Sequence, residues 1–173
     1  MLSERRDAMK ASKPTQYPAG IYHVTWVTHN SRISQRMIDH HVKAGSAIRL
    51  DDKTEIKITE IIGGIIREEN YIVHAYNICR DHIHMLIKCD ENTVSRTVGR
   101  IKGKSAKLYK EHLGKTTDES IHLWAQKFNK WMVQSDEQLR MTVEYIFHNR
   151  KKHGLPENKG LNPLVQKFVT IFP

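Results

Sequence analysis

The most constraining stretch of this chain is His82-Ile83-His84-Met85-Leu86-Ile87, in which two imidazoles alternate with apolar side chains. Successive strand residues point to opposite faces, so His82, His84 and Leu86 share one face while Ile83, Met85 and Ile87 share the other. The second set can anchor the strand in a core. The first holds two imidazoles about 6–7 Å apart at their Cα atoms, from the ~3.3 Å rise per residue. Neutral imidazole is the commonest protein metal ligand, and this spacing suits one divalent cation. The same alternation also describes a half-buried sheet face with no ligand, so the pair alone leaves both readings open.

Other segments arrange themselves around this strand. Ile21 to Thr28 alternates in the same way, with Tyr22, Val24 and Trp26 on one face and His23, Thr25 and Val27 on the other, and reads as a first strand. Tyr71 to Cys79 reads as a second, and Arg80-Asp81 is short enough to turn it directly into the histidine strand as an antiparallel hairpin. Met37, Ile38, Val42, Ala47 and Ile48 recur near helical spacing, which predicts a helix from Gln35 to about Leu50. Ile58 to Arg67, with Gly63-Gly64 among isoleucines, fits either a helix turn or a bulged strand. Asn92 or Thr93 can cap a helix that ends near Leu113-Gly114. Leu123 to Val133 reads as strand or strand-turn-strand, and Ser135-Asp136-Glu137 opens a last helix running to about His153 and closed by Gly154.

The order strand, helix, strand, strand, helix, strand, helix predicts an α+β fold: an antiparallel sheet covered by helices, ferredoxin-like with one added helix, and the histidine strand central. Residues 1–16 read as an N-terminal arm, 17–155 as one domain and 156–173 as an irregular tail with apolar pieces that can pack back.

Charge narrows the partner. Lys plus Arg outnumber Asp plus Glu by 28 to 19, a formal net charge of +9 that favours a polyanion. A membrane surface is the rival, but no apolar run approaches the ~18 residues of a spanning helix and the N-terminus lacks an apolar signal core, so the chain reads as soluble and intracellular. Cys79 and Cys89 are too few for a disulfide framework or a zinc site and read as buried free thiols.

The last helix carries the second informative group. Tyr145 and Asn149 are four residues apart and project together, while Leu139, Val143 and Ile146 form the stripe that should pack on the sheet. The Asn149 carbonyl can serve as a third ligand, with His82 and His84, to a hard cation such as Mg²⁺ or Mn²⁺. Such a set suits Lewis-acid chemistry on a phosphodiester, with Tyr145 attacking in line and retaining the bond energy in a phosphotyrosine. Tyr145 can equally be an amphipathic core residue with its hydroxyl at the surface. Lys102, Lys104 and Lys107 in one helix, and Arg150 and Lys151 beyond the tyrosine, are candidate phosphate contacts or a solvated charged face.

In their order along the chain, Tyr22-His23-Val24-Thr25, Arg80-Asp81-His82-Ile83-His84-Met85-Leu86, Ile101-Lys102-Gly103-Lys104-Ser105, Leu123-Trp124-Ala125-Gln126-Lys127 and Glu144-Tyr145-Ile146-Phe147-His148-Asn149 resemble the single-tyrosine HUH transposases of insertion sequences and the REP-associated tyrosine transposases. The resemblance spans roughly residues 17 to 155. It implies an RRM-like HUH core with an added C-terminal tyrosine helix. It also implies a Mg²⁺- or Mn²⁺-dependent endonuclease and ligase for single-stranded or hairpin DNA, forming a 5′-phosphotyrosine and a free 3′-hydroxyl. By the same resemblance, Tyr145 is the nucleophile and His82, His84 and Asn149 bind metal. A prokaryotic, nucleoid-associated setting and either a monomer or a homodimer also follow from it. Two departures stand out: Asn149-Arg150 where many relatives have Asn-Pro, and a longer charged excursion from Ile33 to Asn70.

Other readings make different demands. A non-catalytic nucleic-acid-binding module on the same fold would need neither metal nor the Tyr145 hydroxyl. A 2H-type phosphoesterase would need a second His-x-Thr besides His23-Val24-Thr25, and the chain has none. A histidine-triad hydrolase would need a third alternating histidine where Leu86 stands.

Overall fold

The computed structural model describes residues 19–43, 45–115 and 122–171, so the expected arm at 1–16 lies outside the described residues. Four strands form one antiparallel sheet: β1 (Ala19–Val27), β2 (Ile72–Cys79), β3 (His82–Asp90) and β4 (Asn129–Met132), in the order β2-β3-β1-β4. The histidine strand β3 is therefore central, as its double burial requires.

Register converts the alternation into two chemically different faces. Thr25 pairs with His84 and His23 with Leu86 across β1 and β3, while Asn77 and Cys79 of β2 pair with His84 and His82. A bulge between Val73 and Ala75 resets β2 so that Val73, Tyr76 and Ile78 reach the opposite, apolar face. There they join Tyr22, Val24, Trp26, Ile83, Met85 and Ile87 in the main core.

That core is closed by α2 (Asp52–Glu68) and α3 (Val94–His112), which contribute Ile58, Ile62, Ile65, Ile66, Val94, Val98 and Ile101. Asp51 starts α2 by accepting the Thr54 N–H at 2.7 Å, which resolves the choice at 58–67 in favour of helix. The Gly63-Gly64 pair is therefore no strand bulge. A Cβ on Gly63 would lie 2.6 Å from the Phe168 ring, so the glycine is where the tail reaches the core.

The helix expected from Gln35 to about Leu50 is shorter, only α1 (Gln35–Asp39). His41 adopts φ 51°, and the Val42 N–H turns back to the Met37 carbonyl, ending the helix. Ile38 and Val42 are exposed, so no packing surface rewards a longer helix. Instead Ile48 N–H bonds His29 O and Leu50 N–H bonds Arg80 O, drawing residues 48–50 out as a strap over the end of β1 and the β2–β3 turn.

The segment from Leu123 to Val133 is strand only at β4, with Trp124 bridging Thr28. Between them the carbonyls of Ala125, Gln126 and Lys127 turn toward the Lys102 ammonium instead of a neighbouring strand. The tail packs back and adds α5 (Leu161–Val165), with Leu161 and Phe168 in the main core. No helix among the described residues is long and apolar enough to cross a membrane.

Among the described residues, the second face of the sheet receives a single helix, α4 (Asp136–Lys152), capped by Ser135 and followed by Gly154 at φ 64°. Its Leu139, Val143 and Ile146 stripe rests on Ile21, Ala75 and Leu86. This small apolar contact sets Tyr145 and Asn149 over the histidine pair of their own chain.

Candidate active site

His82 is oriented from both sides. Its Nδ1 lies 2.7 Å from Asp81 Oδ1, and Arg32 donates to Asp81 Oδ2 at 2.6 Å. Burial works to raise the Asp81 carboxyl, but the hydrogen bonds and charges of Arg32 and His82 outweigh it and hold the group below its usual range. An ionised carboxylate only accepts, so Nδ1 donates to Asp81 and Nε2 is the ring atom that can offer a lone pair to a cation. That Nε2 lies 2.8 Å from Asn149 Oδ1.

Asn149 is fully buried, and Cys79 Sγ donates to its Oδ1 at 3.2 Å. Burial pushes the Cys79 thiol up to about 12, so it remains a donor at neutral pH. Two lone-pair atoms, His82 Nε2 and Asn149 Oδ1, therefore converge. The Asn149 Nδ2 is buried without a partner among the described residues. Turning the amide over would let Nδ2 donate to His82 but would strand the oxygen instead. The lone-pair set, His82 Nε2 beside Asn149 Oδ1, and not the unpaired Nδ2, is the feature that suits a cation.

His84 faces the same region from the next position on its strand face. Its ring lies 5.1 Å from that of His82, nearly perpendicular, while its Nδ1 is 2.9 Å from both His23 Nε2 and Thr25 Oγ1. Burial, reinforced by the repulsion His23, His82, His153 and Lys152 would exert on a second charge, lowers the His84 imidazole to about 3, and burial lowers His23 as well. Both rings are neutral near pH 7, so one proton is shared across the 2.9 Å gap. With that proton on His84 Nδ1, its Nε2 is left as a second imidazole lone pair.

Tyr145 completes the group. Its ring meets His84 edge-on at 5.3 Å and His23 at 6.0 Å, and the Lys152 ammonium lies 4.7 Å above its centroid. The residue is 38% exposed, open to a substrate from the solvent side. The residues present thus fit a divalent cation held by nitrogen and amide oxygen. Among the described residues, no cluster of three or more His, Cys, Asp or Glu side chains is placed to hold a metal ion, so this site would rest on two imidazoles and an amide oxygen.

The candidate basic residues separate. Lys102 is buried, donates to the Ala125 and Gln126 carbonyls at 2.8 Å, and has its ammonium lowered by burial. Arg150 is buried against Glu55, Ile78 O and Pro156 O. Neither is presented to a phosphate; each holds the fold together. Lys104 pairs with Glu68 and Glu69, and Lys107 is exposed, but both sit on α3 across the sheet from the histidines. Lys151 is exposed at the end of the tyrosine helix.

Arg32 and Cys79 carry no site signal in the sequence because each acts across a long-range contact, on Asp81 and Asn149 respectively. His23 and Thr25 could have been assigned once β1 was paired with β3, since both already lie on one face of their strand.

A family model described as "Transposase IS200 like" matches residues 17–149. The chain is also similar in fold to a REP-associated tyrosine transposase bound to a REP hairpin, at 19% identity and a TM-score of 0.52, covering 90% of this chain and 76% of that one. A crystal structure of a Deinococcus radiodurans protein assigned as a transposase matches at 19% identity and a TM-score of 0.49, covering 82% of this chain and 98% of that one. No curated protein matches the chain.

Proposed function

The chain belongs to the IS200-like transposase family, enzymes acting on DNA, and from that premise we propose that it is a single-tyrosine, metal-dependent endonuclease and strand transferase for single-stranded DNA. The observation that supports this most directly is the convergence of Tyr145, His82, His84 and Asn149, from a central strand and one helix.

Mg²⁺ or Mn²⁺, held by His82, His84 and Asn149, would supply Lewis-acid polarisation of the scissile phosphate. The residues do the rest. Asp81 and His23 fix the two rings, so that their lone pairs are aimed before substrate arrives. The Tyr145 oxygen attacks phosphorus and loses its proton; the P–O3′ bond breaks; the departing 3′ oxygen gains a proton. The DNA 5′ phosphate is left on Tyr145, and the reverse attack by a 3′-hydroxyl rejoins a strand with no external energy source. The Lys152 ammonium lies beside the ring where negative charge collects during both steps.

Hairpin DNA is the proposed substrate form, in transposition or REP-type processing in a prokaryotic cytoplasm. The hairpin-bound relative supports this choice. Incubation with single-stranded or hairpin oligonucleotides and Mn²⁺ should yield a denaturant-stable protein–DNA adduct joined through the 5′ phosphate of the fragment downstream of the cut, mapping to Tyr145. Tyr145→Phe retains the ring and its packing, so it should bind DNA but form no adduct. Adduct on another tyrosine, or DNA binding with no adduct under any divalent ion, would replace this reading with that of a non-catalytic binding module.

A further inference from the structure

Beside the tyrosine a groove of about 600 Å³ runs between the edge strand β4 and the first turns of α4. Its floor includes His23 and His84, one wall is Trp131 with Met132, and the other is Met141 with Tyr145 at its end. The register places Trp131 opposite His23, and the indole lies 5.6 Å from that imidazole at a tilt of 34°. Trp131 is nevertheless 55% exposed, whereas Trp26 and Trp124 are 1% and 8% exposed. Trp131, Met132 and Met141 thus form an uncovered apolar surface continuous with the site.

Resting on the transposase reading above, we infer that this groove is a nucleobase pocket, which takes the unpaired base of a nucleotide next to the scissile phosphate and stacks it on Trp131. Three features select a base over the other parts of a DNA strand. The volume falls within the ~300–1,000 Å³ range of small-molecule sites. The apolar surface centres on an indole, which suits a planar π-system and tolerates any base. No lysine or arginine lines the groove among the described residues, and Glu137 does, so a phosphate would meet acid there. The cation, Lys152, stands instead over the Tyr145 ring at the groove's end. One sugar separates a base from its own phosphate, so a phosphate at Tyr145 brings the adjoining base to the groove mouth.

Trp131 is the one well-exposed tryptophan of the chain's three, which makes the idea directly measurable. In metal-free Tyr145→Phe protein, where no cleavage can intervene, oligothymidylate or oligoadenylate should quench tryptophan emission, and the same titration of Tyr145→Phe, Trp131→Phe should show almost none. On an oligonucleotide that forms the adduct, Trp131→Ala should raise KM about tenfold or more with a much smaller change in kcat, and Trp131→Phe should restore most of it. An abasic site at the correct flanking position should raise KM for wild type but add little in Trp131→Ala.

Quenching without adduct would leave the pocket standing and remove the catalytic reading. Adduct formation with no quenching, and with KM unchanged by Trp131→Ala, would remove the pocket alone. Trp131 emission that shifts with protein concentration in the absence of DNA would assign the groove to a second copy of the chain and overturn the inference.

Discussion

The Arg150 guanidinium lies 2.7 Å from the Glu55 carboxylate, fastening the last turn of the tyrosine helix to α2, which covers the other face of the sheet. The same guanidinium donates to the Ile78 and Pro156 carbonyls, and Asn158 donates to Glu55, so one buried cluster joins both layers and the tail. Asn149 is the residue immediately before this clamp. The position at which many relatives of the resembled family carry proline is used here to fix the end of α4 within its own chain.

Breaking that pair strands a buried acid. Burial pushes the Glu55 carboxyl up, opposed by the bonds from Asn158 and Arg150. Arg150→Ala should therefore cost about 3–5 kcal/mol in urea unfolding, as removal of one partner of a buried pair does. Arg150→Lys should recover only part, because an ammonium cannot reach Glu55, Ile78 and Pro156 together. A loss below about 1 kcal/mol would mean that the pair behaves as a surface contact.

Metal binding tests the lone-pair convergence of His82 and Asn149. Calorimetry with Mn²⁺ should show one site in wild type and none in the His82→Ala, His84→Ala double variant. Asp81→Asn removes the carboxylate that holds the His82 proton on Nδ1, and should weaken binding about 10–100-fold without touching a ligand. Equal heats for wild type and the double variant would remove the site.

The contrast between these two clusters explains what could be read from sequence. Strand alternation fixed which side of β1 and β3 each residue occupies, and helical spacing brought Tyr145 and Asn149 together, because both periodicities are local. The Arg32–Asp81 pair and the Cys79–Asn149 bond join residues 49 and 70 apart, which no periodicity reports. Lys102 and Arg150 show the limit most clearly. A lysine in a basic run looks the same whether it meets a phosphate or three carbonyls, and only the tertiary contact decides. The short α1 has the same cause: apolar spacing predicted a helix to Leu50, but no surface was there to cover it.

Stability should fall on the alkaline side through the thiols. Burial raises Cys89 from 9.0 to about 11, so folded and unfolded chains bind its proton equally below pH 9. Above pH 9 the unfolded chain releases that proton first, which favours unfolding by up to about 1.4 kcal/mol per pH unit until the folded thiol also ionises near 11. Cys89→Ala touches no site residue and should flatten this fall when urea midpoints are compared between pH 8.5 and 11. Identical slopes in the two proteins would contradict it.

Affinity for single-stranded DNA should depend steeply on salt, and the slope should sort the lysines. Lys151 is exposed on the tyrosine helix, so Lys151→Ala should lower the slope of log K against log salt by about 0.7 for one phosphate contact. Lys107 lies on α3 across the sheet, so Lys107→Ala should leave the slope unchanged. Equal effects would place the DNA path over α3 instead.

The most exposed prediction concerns Lys152. Its ammonium sits 4.7 Å over the Tyr145 ring, seven residues along the same helix, and is drawn by the π face. That attraction is weak at an exposed position, so Lys152→Gln should change stability by under about 1 kcal/mol. Its effect on cleavage should be larger, because charge develops on the attacking and leaving oxygens only in the transition state. Single-turnover adduct formation should slow about tenfold or more, while DNA affinity falls only by the share of one phosphate contact. Lys152→Arg keeps the charge and should retain most of the rate. If Lys152→Gln formed adduct at the wild-type rate, the ammonium would be a packing partner of Tyr145 and no part of the chemistry.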